Sequence, residues 1–407
     1  MAHEIVVLGG NFAGLNLVHH LERQVLPVLS KLPKSPSYHL TIVSPNDHFF
    51  FKVGAPRALV KPGAFPEDKL FKSIAEALKQ YGEAVTFVQG KATGLAPAAR
   101  EVTIELSGGS TKELKYDSLF IATGTTSASA LWTLHGSHKV SEEAFTQLHQ
   151  LLPKTKSVLV AGAGPVGVET AGEITHNYPE AKVTLVGKIL PQTKPATQTK
   201  ALKFLQDAKV EVLPSLLVKD TTTSGSETTI TLSDGSSKTV ELFIDARGAQ
   251  KINSDFLPQS WLGSTGRVAT KDAYFRVKGD GQSDVSGIYV VGDIVEGSDN
   301  TAIQLDAQVP VATSSFAVDV ASKLGQDTSS SGGLLSWIPG LGSKGVSQKE
   351  FKPMKDTILV PVGPTGGVGQ AMGFQLPSFM VKKAKAEKFL DNLVEPNVTG
   401  SKYAKIA

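Results

Sequence analysis

The sequence predicts an α/β fold, with two Rossmann-like dinucleotide-binding units and a small α+β unit at the C-terminus. Two glycine-rich turns, at 9–14 and 162–167, each follow a short apolar strand and precede a helical pattern. A third stretch, "YVVGDIV" at 289–295, ends a late strand on a Gly-Asp pair. The chain has 407 residues, 41% hydrophobic and 19% charged, which is enough for two or three domains with proper cores.

In order, Ile5 to Leu8 reads as a strand, Gly9 to Gly14 as the turn, and Leu15 to Leu26 as a helix by its apolar spacing. "YHLTIVS" (38–44) completes the first βαβ unit. The pattern then predicts a helix over Lys69 to Tyr81, a strand over Val85 to Gly90, and a hairpin over 100–124 turning at "SGGS". "SVLVAGAGPVGVETAGEI" (157–174) starts the same grammar again, with "AKVTLVG" (181–187) as the next strand. A hairpin through "LSDGSS", strands at 241–248 and 287–293, and a helix from about Ala302 to Leu324 follow. Residues 325–347 are Gly- and Ser-rich and read as a loop. "PSFMVKKAKAEKFLDNL" (377–393) reads as a basic helix.

Charge and composition remove several classes of function. A net charge of +3, from 41 Lys and Arg spread among 38 acids, predicts no nucleic-acid partner. Cysteine is absent, which rules out disulfides, Cys-ligated metals and paired-thiol redox chemistry. No set of metal ligands stands out from spacing. With no signal-like start, no long apolar run and Ala2 in place of a myristoylated glycine, we expect a cytoplasmic chain. Its only candidate for peripheral membrane contact is "LLSWIPGL" (334–341).

The second turn is an intact G-x-G-x-x-G: Gly162, Gly164 and Gly167, with Pro165 and Val166 opening the helix. It suits a pyrophosphate at a helix N-terminus. About twenty residues on, where an acid would hold a ribose 2′-hydroxyl, stand Gly187 and Lys188. No acid there repels a 2′-phosphate, so NADPH as well as NADH is expected; Lys188 equally reads as a solvated strand-end lysine. In the first turn Gly9, Gly10, Phe12, Ala13 and Gly14 fit the pattern, but Asn11 holds the middle position. Asparagine is the side chain that best tolerates positive φ, so the turn survives, and its amide either donates to a phosphate or blocks close approach. Ser44 stands at the ribose position of this unit. Arg247 in "DARG", before Gly248, either reaches a phosphate or caps a strand end.

The order of these motifs, with "ATG" at 122–124 between them, resembles the two-dinucleotide-binding-domain flavoproteins. The stretches "GPVGVETAGEI" (164–174), "YPEAKVTLV" (178–186), "KINS" (251–254), "VVGDIV" (290–295) and "GGVGQAMGFQLPSFMVKKAKAEKF" (366–389) narrow the likeness. They resemble the apoptosis-inducing-factor-like, ferroptosis-suppressor group of NAD(P)H:quinone oxidoreductases, related to the type II NADH dehydrogenases.

The resemblance implies FAD held by residues 1–124 and 252–324, with a NAD(P)H unit, 125–251, inserted between them. Residues 325–347 then form an insertion and 348–407 a C-terminal unit. It implies that Gly9 to Gly14, Arg57, Ala92, Thr123, Gly124, Gly292 and Asp293 line FAD. Glu169 would lie between flavin and nicotinamide, and Lys385 near the flavin, where its charge stabilises the reduced form. The implied reaction passes hydride from NAD(P)H to flavin and electrons to a quinone or similar small acceptor. Two rivals stay open: a flavin-dependent oxidase or monooxygenase that tailors a small molecule, and a slow-turnover, redox-responsive binding protein.

Overall fold

The first strand, His3–Leu8, lies between Tyr38–Ser44 and Ser118–Ile121, parallel to both, in the computed structural model, which describes residues 2–326 and 346–403. The sheet runs Ile288–Val290, Ser118–Ile121, His3–Leu8, Tyr38–Ser44, Val85–Ala96, Glu101–Leu106, Thr111–Lys115. Its central strands are buried on both faces, which is why they read as unbroken apolar runs such as "IVVL". A second, all-parallel sheet runs Glu211–Leu213, Lys182–Val186, Ser157–Ala161, Leu242–Asp245. Because Ile288–Val290 rejoins the first sheet after this one is complete, the second Rossmann-like unit is set inside the first, as the fold class anticipated. An antiparallel sheet of Ile358–Pro361, Gly367–Ala371 and Phe374–Gln375 forms the core of the C-terminal unit.

Three elements differ from the sequence reading. The first helix begins at Phe12 and continues past His20 through a π turn, Leu21–Val25, into Leu26–Leu29, where Pro27 sits at the start of the last segment. Widening at that turn accommodates a ring that can donate no hydrogen bond. The helix expected over Lys69 to Tyr81 is interrupted by a strand, Phe71–Ser73, paired with His48–Phe50. Phe71 stacks on Phe50 there with ring centroids 4.9 Å apart. The helix resumes at Ile74–Leu78, capped by the Ser73 hydroxyl, which accepts from the Glu76 N–H. Finally, the basic helix stops at Phe389 and Leu390, both at positive φ (48° and 59°). That turn puts Phe389 fully inside, under the Arg57 guanidinium.

Among the described residues, no helix is long and apolar enough to cross a membrane. "LLSWIPGL" and most of the Gly/Ser-rich insertion lie outside the described residues.

Candidate cofactor sites and the buried charge cluster

The two glycine turns share one construction. Gly9 has φ +116° and a Cβ there would strike the Ala122 carbonyl; Gly162 has φ +101° and would strike that of Ala246. A Cβ on Gly14 would collide with the Gly9 carbonyl, and one on Gly167 with the Gly162 carbonyl. First and last glycines are therefore demanded by the backbone alone in both turns.

The middle position is different. Gly164 has φ −69° and ψ −175°, and no atom lies within 4 Å of the point a Cβ would occupy. Asn11 has the matching extended backbone, φ −97° and ψ −153°. Asparagine's tolerance of positive φ is thus not what preserves this turn: neither residue needs it. An absent side chain here serves only the approach of a ligand. The Asn11 Oδ1 turns aside to accept from the Phe50 N–H at 3.4 Å, near the outer limit of a hydrogen bond. Asn11→Gly is accordingly expected to change stability by less than about 0.5 kcal/mol. Flavin should bind as tightly or more tightly; a large loss of bound flavin per chain would identify the asparagine as a phosphate ligand.

Gly9 to Ala13, Ser44, Ala92, Thr123, Gly124, Gly292 and Asp293 surround one cavity of about 410 Å³. The helix Phe12–His20 starts at its wall with no side-chain cap and no acid in the first turn, so its leading amides remain for a ligand. Ser44 is buried against Gly10, and its hydroxyl accepts from the Asn46 N–H at 3.2 Å. Lys52 Nζ stands 3.5 Å from Asp293 Oδ2, and the Gln308 carboxamide oxygen accepts from the Gly292 N–H at 2.8 Å. Asn253 ties the wall together: it accepts from Thr126 at 3.0 Å and donates to the Thr123 carbonyl at 2.8 Å. Lys52, Gln308 and Asn253 carry no signal in the sequence that marks them as site residues. "KINS" contains Asn253, but only contact with the "ATG" turn reveals its task.

Gly162, Gly164, Pro165 and Val166 gather at the C-terminal end of the second sheet, where Gly187 packs on Ala163. Lys188 is exposed beside them. Arg247 is forked onto Asp245, at 2.9 and 2.6 Å, with Gly248 at φ +87° after it.

Three buried charges and one partly buried one, Lys385, meet where the C-terminal unit packs on the helix Pro165–Asn177. Lys385 Nζ lies 2.5 Å from Glu169 Oε1 and also donates to the Leu359 carbonyl at 3.3 Å. One turn on, Glu173 accepts both arms of Arg57, at 3.0 and 2.7 Å, while Arg57 Nη1 donates to the Glu387 carbonyl. Gly172 allows this approach, since a Cβ there would meet Gly363 N at 2.7 Å. Burial pushes the Glu169 carboxyl above the usual carboxylate range, and the Lys385 ammonium opposes that shift. Arg57, Glu169 and Lys385 are not among the residues lining the cavity; the Arg57 guanidinium is committed to Glu173, Glu387 and Phe389.

Residues 3–314 match the family described as pyridine nucleotide-disulphide oxidoreductase. The chain belongs to that family. This oxidoreductase is 31% identical to oxidoreductase phnG of Penicillium herquei, covering 98% of this chain and 97% of the relative. It is 25% identical to ferroptosis suppressor protein 1 of Xenopus tropicalis, covering 94% and 92%. Its fold superposes on NDH2 of Plasmodium falciparum with a TM-score of 0.65, at 15% identity and over the whole of both chains. The resemblance to the ferroptosis-suppressor group is borne out. FAD and NADH or NADPH are the family's cofactors and this flavoprotein's own. Both glycine turns fit the dinucleotides they would hold: their tight positions are enforced, and the two middle positions leave the helix starts open. Without cysteine, the disulphide half of the family's chemistry cannot occur here.

Proposed function

We propose that this oxidoreductase takes hydride from NADH or NADPH at the Gly162–Gly167 turn and reduces a quinone-type small molecule. The observation that carries the reading is the Lys385–Glu169 pair, with Glu169 buried and Lys385 partly buried, presented by the C-terminal unit to the helix that opens at the nucleotide turn. Bound FAD would supply the hydride-accepting centre between the nucleotide and the acceptor. Gly9 to Gly14 and the first-turn amides would hold its pyrophosphate and Ser44 and Ala92 its ribose side, while Thr123, Gly124, Gly292 and Asp293 form more of the cavity wall. Lys385 supplies positive charge toward the flavin, and Glu169 holds that ammonium in place. Arg57 acts one step away, locking Glu173 and the C-terminal unit.

In this reading residues 1–124 and 252–324 form the FAD unit and 125–251 the nucleotide unit. The likeness to ferroptosis suppressor protein supports a quinone acceptor. Exposed Met372, Phe374, Phe379 and Met380 on the C-terminal unit support an apolar acceptor met at a membrane surface.

The test is an anaerobic titration of the flavin-loaded protein with NADH or NADPH, followed by a short-chain quinone. Bleaching of the flavin spectrum and its return on quinone addition are expected. Return with oxygen and not with quinone would replace the acceptor by oxygen; a long-wavelength band that persists in air would favour a slow, binding role. Lys188→Glu should weaken NADPH by about tenfold relative to NADH, since an acid then faces the 2′-phosphate. Equal changes in the two apparent affinities would remove Lys188 from the nucleotide site.

A further inference from the structure

Asp47, His48 and His138 converge beside the FAD cavity, although 90 residues separate the last two and no sequence spacing announces them. Their ligating atoms all lie within 4.8 Å of one another. Asp47 Oδ1 is 2.8 Å from His48 Nδ1 and 3.5 Å from His138 Nδ1. Two ligands on one zinc-class ion, each bonded at about 2.0–2.2 Å, stand roughly 3.0 Å apart in octahedral and 3.4 Å in tetrahedral geometry. The observed separations bracket those values. The imidazoles lie close and tilted, with centroids 3.6 Å apart and planes 33° apart, and both Nδ1 atoms approach the same carboxylate oxygen.

The buried His138 Nδ1 has no hydrogen-bond partner. On the opposite side of that ring, Glu142 Oε1 lies 3.8 Å from Nε2, one helical turn along. At that distance the carboxylate is not hydrogen-bonded, but it places negative charge behind the ring, which favours the proton on Nε2 and leaves Nδ1 free to ligate. The supports are rigid. His138 is the first residue of the helix His138–Leu151, whose cap is the Ser137 hydroxyl, and His48 is paired in a strand with Ser73. The Asp47 carbonyl accepts from the Ile74 N–H at 2.9 Å. His48 also lines the cavity.

We propose that Asp47, His48 and His138 bind one divalent transition-metal ion of the zinc class. Two imidazoles and one carboxylate suit zinc, cobalt or nickel and disfavour magnesium and calcium, which prefer oxygen. The ion clasps the helix His138–Leu151 to the strand His48–Phe50, whose His48 lines the flavin cavity.

The experiment uses the flavin-loaded protein after chelator treatment, titrated with Co²⁺ and with Zn²⁺. One Co²⁺ per chain should bind with a visible d–d spectrum, Zn²⁺ should displace it, and Zn²⁺ but not Mg²⁺ should raise the melting temperature. His138→Ala, melting like the wild type in chelator, should bind Co²⁺ more weakly by over about 100-fold, beyond the range for loss of an outer-shell partner. Asp47→Asn, which keeps the side-chain shape, should also weaken it, and serves if His138→Ala does not fold. No saturable binding, or unchanged affinity in the folded variant, overturns the proposal.

Discussion

Lys385→Met is expected to destabilise the folded protein by about 3–5 kcal/mol, because it leaves the Glu169 carboxyl, whose side chain is 3% exposed, without its cation, so that at neutral pH it must either stay buried as an anion or take up a proton. Coulomb attraction is not the main term. Desolvation of each ion opposes the pair, and most of the loss is the penalty on the abandoned carboxylate. Lys385→Met combined with Glu169→Gln should therefore recover most of the stability, since a neutral amide tolerates burial far better than an anion. A double variant as unstable as the single would show that the ammonium matters through its Leu359 and Phe389 contacts instead. The proposed electrostatic role adds a separate readout: quinone reduction should fall about 100-fold in kcat in the double variant, with nucleotide KM little changed.

The same variant gives a pH dependence with a definite sign. Burial already raises the Glu169 carboxyl above its ordinary range, and loss of Lys385 removes the chief opposing influence. In Lys385→Met the folded protein then keeps a proton that the unfolded chain releases once pH exceeds about 4.3. When the unfolded state binds fewer protons, stability falls as pH rises. The melting-temperature gap between wild type and Lys385→Met should thus be small near pH 5 and widen toward pH 8. A gap independent of pH would mean that Glu169 is not the source of the instability.

How much of this is legible in the sequence depends on the range over which each constraint acts. The glycine turns are legible because their requirements are local: a positive φ at Gly9 and Gly162, and a helix packed within contact of its own preceding strand. Parallel strands are legible as continuous apolar runs. Asn11 is misjudged from sequence because the pattern suggests a backbone angle where the constraint is only ligand access. Phe71–Ser73 follows helical spacing, yet pairing with His48–Phe50 and the Phe50 ring override it. The break at Phe389–Leu390 likewise follows from burying Phe389 beneath Arg57, a contact no periodicity encodes. Glu169 and Lys385 are 216 residues apart; the family likeness marks each separately, and their pairing is visible only in the folded structure, where the packing at Gly172 gives it a physical cause.

Gly14→Ala and Gly167→Ala should both be severely damaging, and the contrast with Gly164→Ala decides whether the turns work as described. Inside a helix, alanine normally gains about 1 kcal/mol over glycine, so intrinsic propensity predicts stabilisation at Gly14 and Gly167. The structure predicts the reverse, because each new Cβ enters a backbone carbonyl that belongs to the turn itself. Relief requires sliding the helix off its strand, at a net cost of about 3 kcal/mol or more. Gly14→Ala should purify with little flavin, whereas Gly167→Ala should keep its flavin and lose reduction by NADH and NADPH. Gly164→Ala meets no atom within 4 Å, so it should melt like the wild type while binding nucleotide more weakly. Were Gly14→Ala as stable and as yellow as the wild type, the helix would have to move freely at that turn, and close packing could no longer explain the first and last glycines. Were Gly164→Ala to bind nucleotide normally, side-chain-free access at the middle position would have no role, and Asn11 would need no compensation in the first turn.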